Sequence, residues 1–356
     1  MNILIVSNMG PKPSAPLQGQ FVDKQVERLR QNLADIDYFY LSWNGDSTLH
    51  RVFKYPVYFF QFFMRYILSA KKVDIIHLHF YFPTILCGVF YKLLRNPRVK
   101  ITVTCHGSDI YAYQPPGGAY RYLSRFVNHW FFTSNSLYKR FFQKLDNKTI
   151  LSAGFDDEVF TFSQNEVNKQ FDCLFIGTLD HNKGVDRLIT LTANMPDVRF
   201  GVVGTGGLSE QLQQCANKYK NLTLLGSKPP AELANIVKAS RFLISLSRNE
   251  SFGLVIAEAH ACGIPCIATE TDGSLEQLEN SPYLIAQRNI DEEALIEQVM
   301  GKIKQALNLA ISDYQDLQVK AVERAGKYSL SNVISVIESR YKALYCRQSS
   351  GCKHVQ

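Results

Sequence analysis

Two glutamates, Glu250 and Glu258, stand in the segment 249–268, NESFGLVIAEAHACGIPCIA, which is otherwise mostly apolar. A carboxylate accepts two hydroxyl hydrogen bonds at once, so such a pair suits a polyol ligand. Buried carboxylates are costly without partners, and the apolar setting of Glu258 argues for a ligand. The bland alternative is one glutamate serving a helix dipole and one in solvent. The spacing predicts a turn over 248–252, opening on Arg248, and a helix from about Gly253 to Ala261. That helix stops near Gly263, and Pro265 opens the next strand. At its start, the backbone N–H groups of Phe252, Gly253 and Leu254 stay free for phosphate.

Other candidates sit where strands are expected to end. Lys183, in GTLDHNKGVDRL (177–188), is a cation in a loop that ends at a helix, a suitable place for a diphosphate. VVGTGG (202–207) carries Gly204 at a Gly-rich strand end, which either hugs a nucleotide or simply turns. In HGSD (106–109), His106 follows a strand and suits a sugar hydroxyl or developing charge, while Asp109 is expected to cap the next helix. A long loop, SNMGPKPSAPLQGQ, leads to a helix at Gln20. Gly19 at its start lets a phosphate approach backbone amides. No GxGxxG occurs, which disfavours a dinucleotide oxidoreductase.

The elements that must position these residues alternate along the chain. Apolar runs at 2–8, 36–42, 74–80, 100–107, 129–135 and 149–154 read as strands, the first as a parallel one buried on both faces. QFVDKQVERLRQNL (20–33) carries apolar residues at helical spacing. The second half repeats the theme with strands at 171–179, 199–206, 222–227, 241–247, 265–269 and 283–286. This is the pattern of two α/β, doubly wound, Rossmann-like domains, with a polar boundary at 155–170. In open α/β sheets ligands bind outside the carboxyl ends of the strands.

Length and composition agree. The chain has 356 residues, more than one core usually serves. Its net charge is +7, unevenly placed. Residues 1–165 hold 19 Lys+Arg against 11 Asp+Glu, and 166–356 hold 20 against 21, so the basic character belongs to the first half. Eight scattered cysteines form no CxxC pair and no zinc spacing, so no metal site is expected and the thiols read as reduced and cytosolic. The opening MNILIVSNMG reads as a strand, not a secretory signal. YPVYFFQFFMRYILSAKK (55–72) is shorter than the roughly 20 apolar residues of a membrane span. It reads as a core helix, or as a face that touches a membrane or a lipid-linked acceptor.

Taken in order, the motifs resemble those of the retaining, nucleotide-sugar-dependent glycosyltransferases of family 4, with the GT-B fold. ESFGLVIAE has that family's two glutamates separated by seven residues, and EAHACGIPCIAT is similar to its Glu-Ala-rich helix and following Gly-x-Pro. GTLDHNKGVDRLI, VVGTGG, HGSD and LSAGFDDEVF match further family motifs over nearly the whole chain. Carried over, the resemblance implies that Glu258 holds the ribose hydroxyls and Glu250 the donor sugar, helped by the amides of Phe252 and Gly253. Lys183 would neutralise the diphosphate, Gly19 would let the first domain's loop close over it, and His106 would face the anomeric region. Three departures stand out: Thr178 replaces a common arginine, for which Arg248 or Lys12 is the expected substitute; Ala153 replaces an asparagine; and DGSLE (272–276) replaces a Gly-Gly.

The resemblance thus implies an acceptor-binding domain over 1–160, a nucleotide-sugar domain over 168–328, facing it across a cleft, and a helix over 329–346 returning to the first. It implies transfer of a sugar from a UDP- or GDP-sugar to an acceptor hydroxyl, with no cofactor beyond that co-substrate and no nucleic-acid partner. The basic, aromatic first half, with YRYLSRF (120–126) and LYKRFFQK (137–144), suits a polyprenyl-diphosphate-linked saccharide of bacterial surface polysaccharide synthesis. It also suits peripheral contact at the inner leaflet of the cytoplasmic membrane. A GT-B epimerase or hydrolase, and a non-catalytic sugar-nucleotide-binding subunit, are the alternative readings.

Overall fold

Apolar strands alternate with amphipathic helices throughout a computed structural model, which describes residues 1–13, 18–163 and 167–349. The chain divides into two units. One comprises Met1–Gly154 and the chain from Leu330 onward; the other is Phe155–Ser329. Phe155 bridges to Ser329, and Phe155 and Phe160 are buried in the second unit's core, so the chain enters that unit before the polar residues that follow. Residues 14–17 of the loop before Gly19 lie outside the described residues.

The first unit has a six-stranded parallel sheet in the order β2-β1-β3-β4-β5-β6. Its strands are β1 (Ile3–Ser7), β2 (Ile36–Tyr40), β3 (Ile75–His79), β4 (Lys100–Cys105), β5 (His129–Phe132) and β6 (Lys148–Ile150). β1 is buried along its whole length because helices cover both faces of the sheet. Leu4 and Val6 belong to one core. Ile3 and Ile5 belong to the other, together with Val22, Val26 and Leu29 of the helix Gln20–Asn32 and Val333, Ile337 and Tyr341 of the helix Leu330–Ser349.

The run 55–72 is sorted by one stripe. The helix Thr48–Phe62 continues into a π-helical turn, Phe63–Ile67, and buries Tyr58, Phe62 and Tyr66, whose rings all meet Phe39 of β2. The other aromatic clusters divide similarly: Tyr120, Leu137 and Phe141 are core residues, whereas Tyr122 is exposed. Among the described residues, no helix is long and apolar enough to cross a membrane.

The second unit holds β7 (Phe171–Ile176), β8 (Phe200–Val203), β9 (Leu222–Leu224), β10 (Ser240–Ser245), β11 (Cys266–Thr269) and β12 (Leu284–Ile285). They form a parallel sheet in the order β12-β11-β10-β7-β8-β9. Chain direction across the sheet reverses between β7 and β10 here, and between β1 and β3 in the first unit. At such a switch point two adjacent loops diverge and leave a crevice at the carboxyl ends.

Candidate active site

The switch point of the second unit is where its charged candidates meet. β7 runs into Gly177 and a turn in which the Asp180 carboxylate accepts the Lys183 N–H at 2.8 Å. Gly184 then caps the helix Val185–Asn194 with φ 80°. Only glycine fits there, since a Cβ would lie 2.3 Å from the Leu246 carbonyl oxygen. That contact brings the loop after β10 against the loop after β7. The Arg248 N–H donates to the Asn182 carbonyl at 2.7 Å, and Asn182 Nδ2 to the Asn249 carbonyl at 3.1 Å. The result is an ion pair between Lys183 Nζ and the Glu250 carboxylate, with side chains 26% and 19% exposed. A pair this accessible stays available to a ligand while each partner holds the other in place.

The turn 250–253 is held from a third side. The Gly273 N–H donates to the Glu250 carbonyl at 2.9 Å, and the Gln277 amide donates to the carbonyls of Phe252 and Gly253. A Cβ on Gly273 would lie 2.1 Å from the Phe252 oxygen. The DGSLE departure therefore keeps the one glycine that this close approach needs. Phe252 is buried against Tyr328, with ring centroids 5.1 Å apart. Gly253, at φ 78°, opens the helix Leu254–Ala261, and no side chain caps it. The Ile256 N–H is bonded to the Gly253 carbonyl at 2.9 Å, and a Cβ on Gly253 would lie 3.1 Å from Glu250 Cγ, so this side-chain-uncapped helix start lies next to Glu250, where an anion is favoured. Leu254, its first residue, is half-buried.

Glu258 lies in the interior of the same helix and is half-buried. Burial first, and the nearby Asp156 carboxylate second, push its pKa up to about 7. A hydroxyl donating to this carboxyl would favour its ionised form. Thr178 is exposed just after Gly177, and Gly204 closes the β8 end so tightly that a Cβ would meet the Gly177 oxygen at 1.9 Å.

Neither expected substitute for the missing arginine is free. Arg248 donates to both carboxylate oxygens of Asp186 at 2.9 and 2.7 Å, to Glu292 at 3.2 Å and to the His181 carbonyl at 2.6 Å. It buttresses the first turn of the helix Val185–Asn194. Lys12, in the first unit, pairs with Asp46 at 3.1 Å.

The first unit builds a different site. His106 follows β4 and stacks on His79, the last residue of β3, with rings 5.3 Å apart and 17° from parallel. His79 Nδ1 and His106 Nε2 share a hydrogen bond of 3.1 Å. Phe80 and Phe21 complete the surround at 4.6 and 5.0 Å. Burial, and secondarily His79, hold His106 well below the usual imidazole range, and burial lowers His79 to about 3. Both rings are neutral at physiological pH, so His106 offers a hydrogen bond and not a positive charge.

Asp109 is not the expected helix cap. Gly107 occupies that position, and the buried Asp109 carboxylate accepts N–H groups from Tyr81, His106 and Gly107 at 2.8, 3.0 and 2.9 Å. It fixes the backbone that carries His106. Gly19 caps the helix Gln20–Asn32 at φ 91°.

Residue patterns alone missed four positioning groups: Gln277, Arg187, Gln287 and His79. Arg187 is buried and donates to Leu246 O and Gln287 Oε1, both at 2.9 Å, and Gln287 donates onward to the Ser247 carbonyl at 3.1 Å. Only His79 left a readable signal, as the second of two alternate histidines ending the apolar run DIIHLHF.

Comparisons with known proteins identify the family and the fold. The family profile described as glycosyl transferases group 1 matches residues 156–309, and that described as glycosyltransferase family 4 matches residues 23–151. An uncharacterized glycosyltransferase of Methanocaldococcus jannaschii is 28% identical over 74% of this chain and 79% of its own. An O-antigen biosynthesis glycosyltransferase of Escherichia coli is 24% identical over 49% of this chain and 48% of its own. The crystal structure of Anabaena HepE in complex with UDP and glucose superposes with a TM-score of 0.71 at 16% identity, covering 96% of this chain and all of that one.

Proposed function

We propose a donor, an acceptor and a mechanism for a chain that belongs to the group 1 glycosyltransferases of family 4, with the GT-B fold. The donor is a nucleotide-diphosphate sugar, UDP- or GDP-linked, and transfer retains the anomeric configuration. The observation that carries this reading is the Lys183–Glu250 ion pair beside the uncapped start of the helix Leu254–Ala261.

A diphosphate at that helix start receives N–H bonds and the positive end of the helix dipole, with Lys183 as countercharge. Once phosphate engages Lys183, the Glu250 carboxylate is released to accept donor-sugar hydroxyls. Glu258 accepts the two ribose hydroxyls, which stabilises its ionised form. The acceptor O–H attacks the anomeric carbon on the face from which the diphosphate departs. As the C–O bond to phosphate breaks, a diphosphate oxygen takes the acceptor proton. No protein nucleophile enters this sequence. The protein supplies position and charge stabilisation. Neutral His106 donates or accepts a hydrogen bond near the sugar.

The acceptor is a polyprenyl-diphosphate-linked saccharide in bacterial surface polysaccharide synthesis, met at the inner leaflet of the cytoplasmic membrane. The basic first half and the O-antigen enzyme among the relatives support this.

Calorimetric titration with a panel of UDP- and GDP-sugars tests the donor. Binding confined to one nucleotide is expected, and no binding by any of them sinks the reading. Glu250→Ala should lower kcat about 10²-fold or more. Unchanged turnover would remove the role given to Glu250.

A further inference from the structure

We infer that the first unit carries a docking surface for an anionic lipid bilayer, built from the outer faces of two neighbouring helices. The inference rests on the lipid-linked acceptor proposed above and names the surface by which the enzyme meets it. Along the helix Thr48–Phe62 and its π-helical continuation, the stripe opposite Tyr58, Phe62 and Tyr66 is apolar and exposed. It comprises Leu49, Val52, Phe53, Phe60, Phe63, Met64 and Leu68, with Phe60 65% and Leu68 62% exposed.

A second exposed set extends it. Phe90, Leu93 and Leu94 project from the end of the helix Ile85–Leu94, with Leu93 64% exposed. That helix end abuts the end of the first stripe. Arg95 donates to the Ala70 carbonyl at 3.0 Å, Asn96 to the Val73 carbonyl at 2.9 Å, and the Val73 N–H to Tyr91 Oη at 2.8 Å. Scattered apolar residues on a surface need no account, but large ones gathered on one face mark an interaction site.

Charge selects the occupant. Between residues 47 and 108 the sequence holds nine Lys+Arg and one acidic residue, Asp74. Arg65 and Lys71 are paired with Asp37 and Asp35. Arg51, Lys54, Lys72 and Arg98 have no carboxylate partner among the described residues. Large apolar side chains with unpaired cations along the same segment, the bordering Asp37 and Asp35 being engaged by Arg65 and Lys71, complement the acyl boundary and anionic headgroups of a bilayer.

Co-sedimentation of the full chain with vesicles tests this. Phosphatidylcholine alone should bind little, whereas phosphatidylcholine with one part in three phosphatidylglycerol should bind about tenfold better at low salt. Most of that gain should disappear at 0.5 M salt, where the Debye length is roughly threefold shorter than at 0.05 M. Phe60→Ser with Leu68→Ser should weaken vesicle binding about tenfold. Arg51→Gln with Lys72→Gln should remove the preference for anionic lipid. Ile311→Ser, at an exposed apolar position in the second unit, should change nothing.

Equal binding to both vesicle types, or binding unaffected by either double variant, overturns the inference. So does a concentration-dependent dimer abolished by Phe60→Ser with Leu68→Ser. Nucleotide-sugar titration of the same variants separates the two readings. Intact donor binding with no lipid binding removes the surface and leaves the donor site standing.

Discussion

The two switch points use the same backbone geometry for opposite electrostatics. Each places ligand candidates just beyond strands that end side by side, and in each a left-handed glycine opens the following helix, Gly19 in one and Gly184 and Gly253 in the other. In the second unit these ends carry full charges: Lys183 against Glu250, Arg248 against Asp186, and Glu258 with a raised pKa. In the first unit they carry neutral rings, His79 and His106, stacked among Phe21 and Phe80. A diphosphate needs cations and amides. A sugar and its acceptor need hydrogen bonds that do not compete for that charge. On the proposed reading the second unit takes the diphosphate charge, together with the hydroxyls that Glu250 and Glu258 accept, and the first unit adds an uncharged hydrogen-bonding ring, His106.

Removing the cation tests the charged half most severely. Lys183→Met keeps the stem that lies 3.6 Å from where a Gly177 Cβ would be, and deletes the ammonium. It removes the diphosphate countercharge and leaves Glu250 without its ion-pair partner. A loss of about 10³-fold in kcat/KM is expected, near the upper range for removing one charge-stabilising donor. Most of it should fall on kcat, because the charge on the diphosphate grows as the bond breaks. A loss confined to KM would place Lys183 in ground-state binding only and weaken the contrast between the units.

The parts of this contrast visible in the sequence are those set by local chemistry. Continuous apolar runs placed the strands, and the glycine before LVIAEAHA placed the helix start at 253 to within a residue. Glu250, Glu258 and Lys183 were legible because charged residues in apolar or strand-end settings need a reason. What escaped depends on residues far apart in the chain. Arg248 looked like a spare phosphate cation because nothing nearby in sequence reveals Asp186, on the loop after another strand. Arg187 and Gln287 hold the Glu250 loop from behind through backbone carbonyls, which leave no pattern in side-chain types. The segment 55–72 read either as a core helix or as a membrane-touching face, and only its packing against Phe39 separates a buried stripe from an exposed one. Asp109 was expected to cap forward, but its carboxylate turns back to three preceding amides.

Glu258 gives a smaller and pH-dependent effect. Its folded pKa, about 7, lies above the ordinary 4.5, so the folded state favours the protonated form. Wild-type stability should therefore fall as pH rises from about 4.5 to 7 and level off above that. The full shift corresponds to at most about 3 kcal/mol. Glu258→Gln removes this loss, so its melting temperature relative to wild type should be higher at pH 8 than at pH 5. Nucleotide affinity should move the other way. In the wild type it should strengthen as Glu258 ionises between pH 6 and 8, and in Glu258→Gln that trend should vanish. Parallel pH curves for the two proteins would show that Glu258 does not titrate in this range, leaving Lys183 and Glu250 as the charged half's chemistry.

The smallest effect is the most specific to the neutral half. His79 touches His106 through one hydrogen bond and one stacked face, which makes it a positioning residue for that ring. Replacing it with leucine preserves bulk but removes both the bond to neutral His106 and the neighbouring imidazole that lowers its pKa. Loss of the neighbouring imidazole raises the His106 pKa, so the ring charges at a higher pH than before. His79→Leu should lower kcat only about tenfold at pH 8, within the range of a single misplaced hydrogen-bonding group. Its acid limb in kcat/KM should move toward neutrality, while nucleotide binding in the second unit stays intact. His79→Asn, whose amide can reach the position of Nδ1, should return the limb part of the way. A uniform drop at every pH, unrelieved by asparagine, would mean that His79 only fills space and that the neutrality of His106 comes from burial alone.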